Sequence, residues 1–449
     1  MNNLDSQMLR FTLDKLDKLG YLKTCKKKVD KDFELGAVLR YFENEVPIVF
    51  NNIKNYDIDL VGGIYGSRKI FNNLMDVNEE DRIYKFMDAI GNPKPYKEIK
   101  NGPIKQNILT KNIDINKLFP IPISHEKDSS NFITAGMLII KDPDTKDIHM
   151  AVRRFQINDK DNISALVSGA SPHLNNIIKK AEAKNEKLEC AVVLGYDAEF
   201  LIASQISSSK YGLDKYEVYS ALKNEPLEVV KCSSVDILVP AFCEIVIEGH
   251  LNPNKKVKEG PFGELMGYYG EIANHPTIDI KAVMHRDNPI FQHAFPSREE
   301  HLSNGLIREV EIYSALKNIV DVLDVNVTVG GGCRLHAIVK INKRNEGDGK
   351  SAILTALGSS KDLKHVVIVD KDVDIYNYKD VEFAIASRVQ ATKDVVIVPN
   401  ALGSPLEASH VHKGLSDKMG IDATKPLDNE LFNRAIIPGY ESINIDDYF

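Results

Sequence analysis

The length, composition and charge of the chain exclude several classes of protein. Its 449 residues are enough for two or three domains with large cores, and 43% hydrophobic with 27% charged residues is typical of a folded globular protein. The net charge of −7 argues against a nucleic-acid or anionic-membrane partner, which would need a basic surface. No apolar run approaches the roughly 18 residues of a membrane span, and the first residues lack a secretory leader pattern.

The five cysteines give a second constraint on location. They are widely scattered, odd in number and form no CxxC pair. This pattern argues against a disulfide framework and against a thiolate zinc site. We therefore expect reduced core cysteines in a cytoplasmic protein.

The first hundred residues alternate between helix and strand patterns. Apolar residues at helical spacing predict a helix that ends near Gly20, and a second helix follows over 33–42. Short strands are predicted at 48–50 and 59–61. The glycine-rich stretch from Gly62 to Arg68 then predicts a turn into a helix, which could bind a phosphate or could simply join the two elements.

The middle of the chain is rich in strand patterns. Strands are predicted at 135–140, 149–157, 191–194 and 235–248. The last of these alternates apolar and polar residues over a long stretch, which indicates a half-buried antiparallel sheet or a barrel wall. A composition break rich in lysine, glycine and proline follows it.

From about residue 303 the pattern returns to helices and strands. A helix is predicted over 304–316 and strands near 322–329 and 335–341; continuous β-branched runs at 366–369 and 395–398 flank a helix at 381–388. Continuous runs favour strands that are covered on both faces, hence a parallel sheet. The predicted architecture is α/β, then a β-rich middle, then α/β.

One loop carries paired carboxylates. Two glycines and a proline between Glu259 and Glu264 predict a tight loop rather than a helix. Two neighbouring carboxylates can act as general acid and base, because proximity and burial raise the pKa of one of them. A solvated turn with two surface glutamates is the simpler alternative.

A strand over 149–157 carries two adjacent arginines. Alternate side chains share a face of a strand, so Arg154 is expected to lie with Gln156, opposite Arg153. An inward Arg154 could grip a substrate carboxylate, or it could form a structural ion pair, while Arg153 meets water.

A third motif lies near the carboxyl end, where Lys418 precedes the Gly420 turn. A lysine placed in this way can set a point charge on a phosphate. A surface lysine is an equally common use of the pattern.

Together these motifs resemble the UbiD family of reversible decarboxylases. The resemblance rests on Arg154 with Gln156, on the 259–264 stretch and on 418–424, and it extends to further matches in order along nearly the whole chain. These further matches are at 50–54, 62–68, 229–232, 239–241, 244–249, 267–269 and 332–335.

The resemblance implies a cofactor and a three-domain organisation. Family members bind prenylated FMN, which a separate flavin prenyltransferase makes. The implied arrangement is an N-terminal α/β domain (1–110), a central split β-barrel that holds the flavin (111–302) and a C-terminal α/β domain (303–449) that forms a homodimer or homohexamer.

The resemblance also implies roles for individual residues. Arg154 would position the carboxylate of an unsaturated or aromatic acid and pair with Glu259. Glu264 would give a proton to the carbon that loses CO2. Lys418 would contact the flavin phosphate.

The chain departs from the family at the metal that bridges the flavin phosphate. That metal, usually manganese, has Asn, His and Glu ligands in the family. In this sequence His149 replaces the Asn, His173 matches the His, and Lys215 replaces the Glu. An ammonium is no ligand, and Mn²⁺ about 4 Å from it would be repelled by about 8 kcal/mol at an effective dielectric of 20. We expect His149, His173 and Lys215 at the phosphate, with Mn²⁺ doubtful. His173 as a metal ligand, Asp214 in a shifted alignment, and K⁺ remain alternatives.

Two other functions compete with the decarboxylase. A specialised member of the family could take a phosphorylated or otherwise anionic substrate. A catalytically silent, flavin-binding subunit of a larger carboxylase complex is the rival from another class; the altered metal ligands favour it, and the retained catalytic trio argues against it. The sequence does not identify the acid.

Overall fold

The computed structural model describes residues 5–167, 172–207, 212–297, 301–410, 412, 414–432 and 435–449. Its N-terminal part contains helices Met8–Lys18 (α1), Glu34–Tyr41 (α2), Arg68–Leu74 (α3) and Arg82–Gly91 (α4), and strands Lys23–Cys25 (β1), Ile48–Phe50 (β2) and Leu60–Gly62 (β3). Strand β1 is parallel to β2, and β2 is antiparallel to β3. The helices and strands predicted for this region are confirmed.

The glycine-rich stretch between β3 and α3 is a close turn. Gly63 has φ +73°, and a Cβ on it would lie 2.3 Å from the carbonyl oxygen of Val46. Only glycine fits there, because both the backbone conformation and the space exclude a side chain. The prediction of a strand-to-helix turn is confirmed.

The central part is dominated by long strands. Its strands are Lys97–Glu98 (β4), Asn107–Leu109 (β5), Phe132–Lys141 (β6), Ile148–Asp159 (β7), Asn162–Ala165 (β8), Leu188–Leu194 (β9), Glu228–Lys231 (β10), Leu238–Pro240 (β11), Ile245–Glu259 (β12), Ala273–His285 (β13) and Phe291–Gln292 (β14). Its helices are Ile115–Leu118 (α5), Pro172–Lys184 (α6), Ala198–Gln205 (α7) and Lys215–Lys223 (α8).

Six of these strands close into an antiparallel barrel. The order is β12-β9-β6-β7-β8-β13, and β12 pairs with β13 to close the ring. Strand β5 adds to β13 outside the ring, and β14 joins β3 of the N-terminal sheet. The predicted central barrel is confirmed.

The prediction of a single strand over 235–248 is wrong. The chain forms β11, turns after Pro240, and resumes as β12 at Ile245; within the turn, Glu244 forms an ion pair with Arg10 at 2.9 Å. Strand β12 then runs on through the predicted composition break to Glu259. A register shift between Asn252 and Lys256 accommodates Pro253, which has no N–H to donate.

The C-terminal part is a five-stranded mixed sheet with helices. It contains helices Leu302–Leu316 (α9), Asp348–Ser359 (α10), Tyr378–Arg388 (α11) and Ala391–Asp394 (α12), and strands Val322–Val327 (β15), His336–Ile341 (β16), His365–Asp370 (β17), Val395–Leu402 (β18) and Leu415–Asp422 (β19). Strand β17, which contains the predicted run 366–369, is parallel to β16 and β19, so the predicted parallel sheet is confirmed there. The turn predicted at Gly420 is wrong, because Gly420 lies within β19. Strand β18, expected to be a covered parallel strand, is instead an antiparallel edge, with Ile397 69% exposed.

A buried carboxylate joins the N-terminal and C-terminal parts. Glu309 of α9 accepts hydrogen bonds from Arg68 at 2.5 Å and from Arg82 at 2.5 Å, and from the backbone N–H of Val327 at 2.9 Å. Burial alone would raise the pKa of Glu309, but the two guanidinium groups lower it overall. Within the described ranges, no helix is both long and apolar enough to cross a membrane.

Candidate active site

A cavity of about 900 Å³ lies where the barrel meets the C-terminal domain. Arg153 and Arg154 of β7 line it from the barrel, and Glu264 lines it from the loop after β12. Arg308 and Arg334 line it from the C-terminal side. Such a volume is large enough for a cofactor and a small substrate together.

The predicted trio of Arg154, Glu259 and Glu264 is brought together in this cavity. The Nε of Arg154 lies 2.7 Å from Oε1 of Glu259 and its Nη2 lies 3.0 Å from Oε2, while Nη1 donates to Oε1 of Glu264. These bonds use three of the five N–H groups of the guanidinium, which leaves two for a substrate carboxylate. Burial opposes a charged Arg154, but Glu259 raises its pKa overall.

The two glutamates differ in their access to the cavity. Glu259, the last residue of β12, is fully buried behind Arg154, whereas Glu264 lines the cavity. Gly270 lies opposite Glu264: a Cβ there would lie 2.7 Å from Oε1 of Glu264, so a side chain at this position would require the carboxylate to move. The alternative of a solvated turn with two surface glutamates is therefore wrong.

The loop between the glutamates is fixed by its neighbours. Gln156 accepts the backbone N–H of Gly260 at 3.0 Å, and Asp128 accepts that of Gly263 at 2.9 Å. The ring of Phe262 lies 4.5 Å from Cζ of Arg154, a cation–π contact. The loop thus holds both carboxylates around one guanidinium.

His275 of β13 is a site residue that sequence reasoning missed. Its Nε2 lies 3.6 Å from Oε2 of Glu259, and its Nδ1 accepts the backbone N–H of Val167 at 3.3 Å. An Nδ1 that accepts leaves the proton on Nε2, facing Glu259. Burial lowers the pKa of His275, which favours the neutral ring. A histidine within a strand carries no local motif that could have revealed it.

The structure also brings His149, His173 and Lys215 together, beside Arg153; we call these four residues the basic corner. The Nδ1 atoms of His149 and His173 lie 3.2 Å apart and share a hydrogen bond. Arg153, which was expected to meet water, is half-buried and lines the cavity. That expectation is wrong because other parts of the protein cover the second face of β7.

The basic corner carries positive charge in a buried setting. Burial lowers the pKa of Lys215 to about 7, with Arg153 adding to the effect, and no carboxylate of the described residues raises it. Burial and Arg334 lower the pKa of Arg153 to about 10. Burial, then Lys215, holds the pKa of His149 well below 6.5, and its Nε2 has no hydrogen-bond partner among the described residues. Of these four residues Arg153 lines the cavity, whereas His149, His173 and Lys215 are not among its described lining residues. The charges of the corner favour a phosphate beside Arg153.

The same corner does not fit a divalent metal. It offers two imidazoles and an ammonium, and the described residues contain no group of three His, Cys, Asp or Glu that could hold a metal ion. Asp214, the alternative ligand, is the N-cap of α8 and accepts the backbone N–H of Tyr216 at 2.8 Å.

Lys418 lies apart from the basic corner. Its Nζ donates to the carbonyl oxygens of Leu357 at 3.2 Å, Ser360 at 3.3 Å and Lys361 at 3.1 Å, at the end of α10. It is not among the described residues that line the cavity. The three N–H donors of this ammonium are thus directed to the helix end, and the predicted contact with the flavin phosphate stays a prediction.

Replacing Lys418 by methionine should therefore affect stability rather than cofactor content. We expect the free energy of unfolding in urea to fall by about 1–3 kcal/mol, because carbonyl groups at the helix end lose a charged donor. Flavin absorbance per protein should not change. The exposed Lys393, replaced by methionine, is the control, and flavin loss without loss of stability in the Lys418 variant would support the sequence-based assignment.

A second cationic group faces the cavity from the C-terminal domain. Arg308 lies 3.0 Å and Arg334 2.5 Å from the same oxygen of Asp362. Burial and Arg334 lower the pKa of Arg308 to about 10. Two guanidinium groups share one carboxylate, so this wall carries one excess positive charge. No local sequence pattern pointed to this pair.

The comparisons with known proteins agree with this fold and site. Three consecutive family models match, all described as domains of 3-octaprenyl-4-hydroxybenzoate carboxy-lyase: the N-terminal domain at 13–90, the Rift-related domain at 97–299 and the C-terminal domain at 301–423. The fold and site thus define a carboxy-lyase, as predicted. The chain belongs to the UbiD family.

Individual relatives cover nearly the whole chain. Anhydromevalonate phosphate decarboxylase of Methanosarcina mazei is 34% identical over 431 residues, 95% of this chain and 98% of that protein. The UbiD-class enzyme HmfF of Pelotomaculum thermopropionicum, solved with FMN, is 39% identical with a TM-score of 0.95, covering 98% of this chain and 100% of that one. Vanillic acid decarboxylase of Sedimentibacter hydroxybenzoicus, in open form, is 27% identical with a TM-score of 0.87 and covers 97% of each chain.

Proposed function

We propose that the chain uses prenylated FMN to decarboxylate an unsaturated or aromatic carboxylic acid, in a reaction that is reversible in principle. The observation that carries this proposal is the cluster of Arg154, Glu259 and Glu264 at the cavity. A relative that is 39% identical to the chain was solved with FMN. When bound, the flavin would supply the electron sink for the electron pair that stays on the substrate carbon when CO2 leaves.

The basic corner is the proposed anchor for the flavin phosphate. A buried cation is costly unless it is paired, and the pKa of Lys215 is raised by no carboxylate of the described residues. A phosphate would supply the missing negative charge. It would also give the unpartnered Nε2 of His149 an oxygen to bond.

The trio has three separate tasks in the proposed reaction. Arg154 uses its two remaining N–H groups to hold the substrate carboxylate. Glu259 fixes the guanidinium and balances its charge from behind. Glu264, which lines the cavity, gives its proton to the carbon that has lost CO2.

The test is co-expression with a flavin prenyltransferase, followed by absorption spectroscopy and a substrate screen. Aromatic, heteroaromatic and acrylic acids are assayed for CO2 release and for H/D exchange at the carbon that bears the carboxylate. Flavin binding without any CO2 release or exchange would favour the silent subunit. Protein free of flavin would contradict the proposal.

A specific observation favours an acid with a second anionic group. Among the described residues, Arg308 and Arg334 both form ion pairs with Asp362, and both face the cavity. A phosphate or a second carboxylate on the substrate would match their excess charge. Relatives at 33–34% identity are anhydromevalonate phosphate decarboxylases, whose name specifies a phosphorylated substrate. The phosphorylated-substrate alternative thus gains support.

Replacing Arg308 by methionine should lower the preference for such acids. We expect kcat/KM for a phosphorylated or dicarboxylic acid to fall about 10- to 100-fold, the value of a charge-assisted hydrogen bond. The kcat/KM for a matched monocarboxylic acid should fall much less. Asp362 keeps its ion pair with Arg334 in the variant. Equal losses for both acids would place Arg308 outside substrate recognition.

The C-terminal segment supports the proposed homo-oligomer. Its exposed apolar side chains are the kind of surface that a second copy would cover. They are Leu431, Ile436, Ile437, Tyr440, Ile443, Ile445, Tyr448 and Phe449.

A further inference from the structure

We infer that Lys215 takes the place of a divalent metal ion, so that its ammonium and Arg153 bind the flavin phosphate directly and the protein holds its cofactor without manganese. The inference rests on the proposed function, since it concerns how the same flavin is held. Lys215 is a position at which the chain departs from its family, because the resemblance implies a glutamate ligand there.

The surroundings of Lys215 are those of a bound cation. Its Nζ donates to the carbonyl oxygens of Met150 at 2.8 Å and Ser204 at 2.6 Å. Carbonyl oxygens are also typical ligands of hard metal ions. An ammonium has three N–H donors, so one remains for a phosphate oxygen.

The charge of the basic corner matches a phosphate without any metal. Lys215 is 6% exposed, and no carboxylate of the described residues raises its pKa. Arg153 is near enough for its charge to act on Lys215. A phosphate monoester carries a charge of about −1.5 to −2 near neutral pH, so a phosphate beside Lys215 would favour the charged form of its ammonium.

A divalent ion would have to enter against this arrangement. It would meet the positive charges of Lys215 and Arg153 at short range. The Nδ1 atoms of His149 and His173 are already bonded to each other at 3.2 Å, and Asp214 caps α8. Lys215 stands where the family has a carboxylate. This replacement removes a metal ligand and raises the local charge by two, which is the charge that the divalent ion would have added.

The first test uses the full chain made without a flavin prenyltransferase and freed of flavin. FMN is titrated by fluorescence quenching in EDTA and in Mn²⁺, with riboflavin, which lacks the phosphate, as the comparison. We expect the Kd for FMN to agree within about 2-fold between the two conditions, and riboflavin to bind at least about 10-fold more weakly, as the loss of a charge-assisted contact predicts. Elemental analysis of the holoprotein should find manganese well below one per flavin.

Variants of Lys215 give a second test. Lys215→Met should weaken FMN binding about 10-fold or more and leave riboflavin binding unchanged. Lys215→Glu should make FMN binding depend on Mn²⁺, because two histidines and a carboxylate then form a ligand set. Lys179→Met, on the exposed face of α6, is the control, and circular dichroism checks that each variant folds.

The outcomes separate this inference from the proposed function. Stoichiometric manganese, a Kd for FMN raised 10-fold by EDTA, or unchanged FMN binding in Lys215→Met would each overturn the inference. Decarboxylation in the same preparation would leave the proposed function standing. If Lys215 variants fail to fold, the metal content and EDTA titration of the unmodified protein still decide. Metal-free FMN binding without decarboxylation, after loading with prenylated FMN, would support the inference and count against the function.

Discussion

Replacing Glu264 by glutamine should leave flavin bound and lower turnover by at least about 100-fold, the smallest effect expected of a general acid. Glutamine keeps the shape of the side chain, so it still fits against Gly270. It can also still accept the hydrogen bond from Arg154. What it lacks is a carboxylic acid proton for the carbon that loses CO2.

The measurement is steady-state CO2 release together with H/D exchange at the reacting carbon. Glu271→Gln is the matched control, since Glu271 also lines the cavity and is not a member of the predicted trio. Turnover near that of the unmodified protein in Glu264→Gln would mean that water or another group supplies the proton. The assignment of Glu264 would then fail.

Replacing Arg154 by methionine should both abolish activity and destabilise the fold. Glu259 is fully buried and would lose the two hydrogen bonds of 2.7 and 3.0 Å that Arg154 provides. A buried charge without its partner costs about 3–5 kcal/mol. We expect a loss of that size in the free energy of unfolding by urea, together with loss of CO2 release.

A double variant separates these two effects. Arg154→Met combined with Glu259→Gln removes both charges, so most of the lost stability should return. Activity should not return, because no guanidinium is left to hold the substrate carboxylate. Recovered activity in the double variant would exclude Arg154 from substrate positioning.

The sequence predicted the parts of the site that lie on short local motifs. The loop from Glu259 to Glu264 and the strand around Arg154 each carry a recognisable pattern, and the structure brings them together as expected. His275, Arg308 and Arg334 escaped notice because they reach the site through tertiary packing. Nothing in their neighbouring residues distinguishes them from structural histidines and arginines.

The wrong predictions share a physical cause. Alternation along β7 predicted different faces for Arg153 and Arg154, yet both line the cavity, because alternation does not show what surrounds each side chain. Similarly, the β-branched run of β18 resembles a central strand, and only the sheet order shows that it is an edge. Local patterns predict elements and faces, whereas neighbours depend on the whole fold.

The buried Glu309 has a consequence for how the protein unfolds. Its carboxylate is hydrogen-bonded to Arg68 and Arg82 of the N-terminal part and to the backbone of Val327. If either part unfolded alone, the other would keep a buried charge without its partner, which is costly. The two ends of the chain are thereby coupled into one cooperative unit, although the barrel separates them in sequence. A substitution that destabilises one end of the chain therefore lowers the free energy of unfolding of both ends.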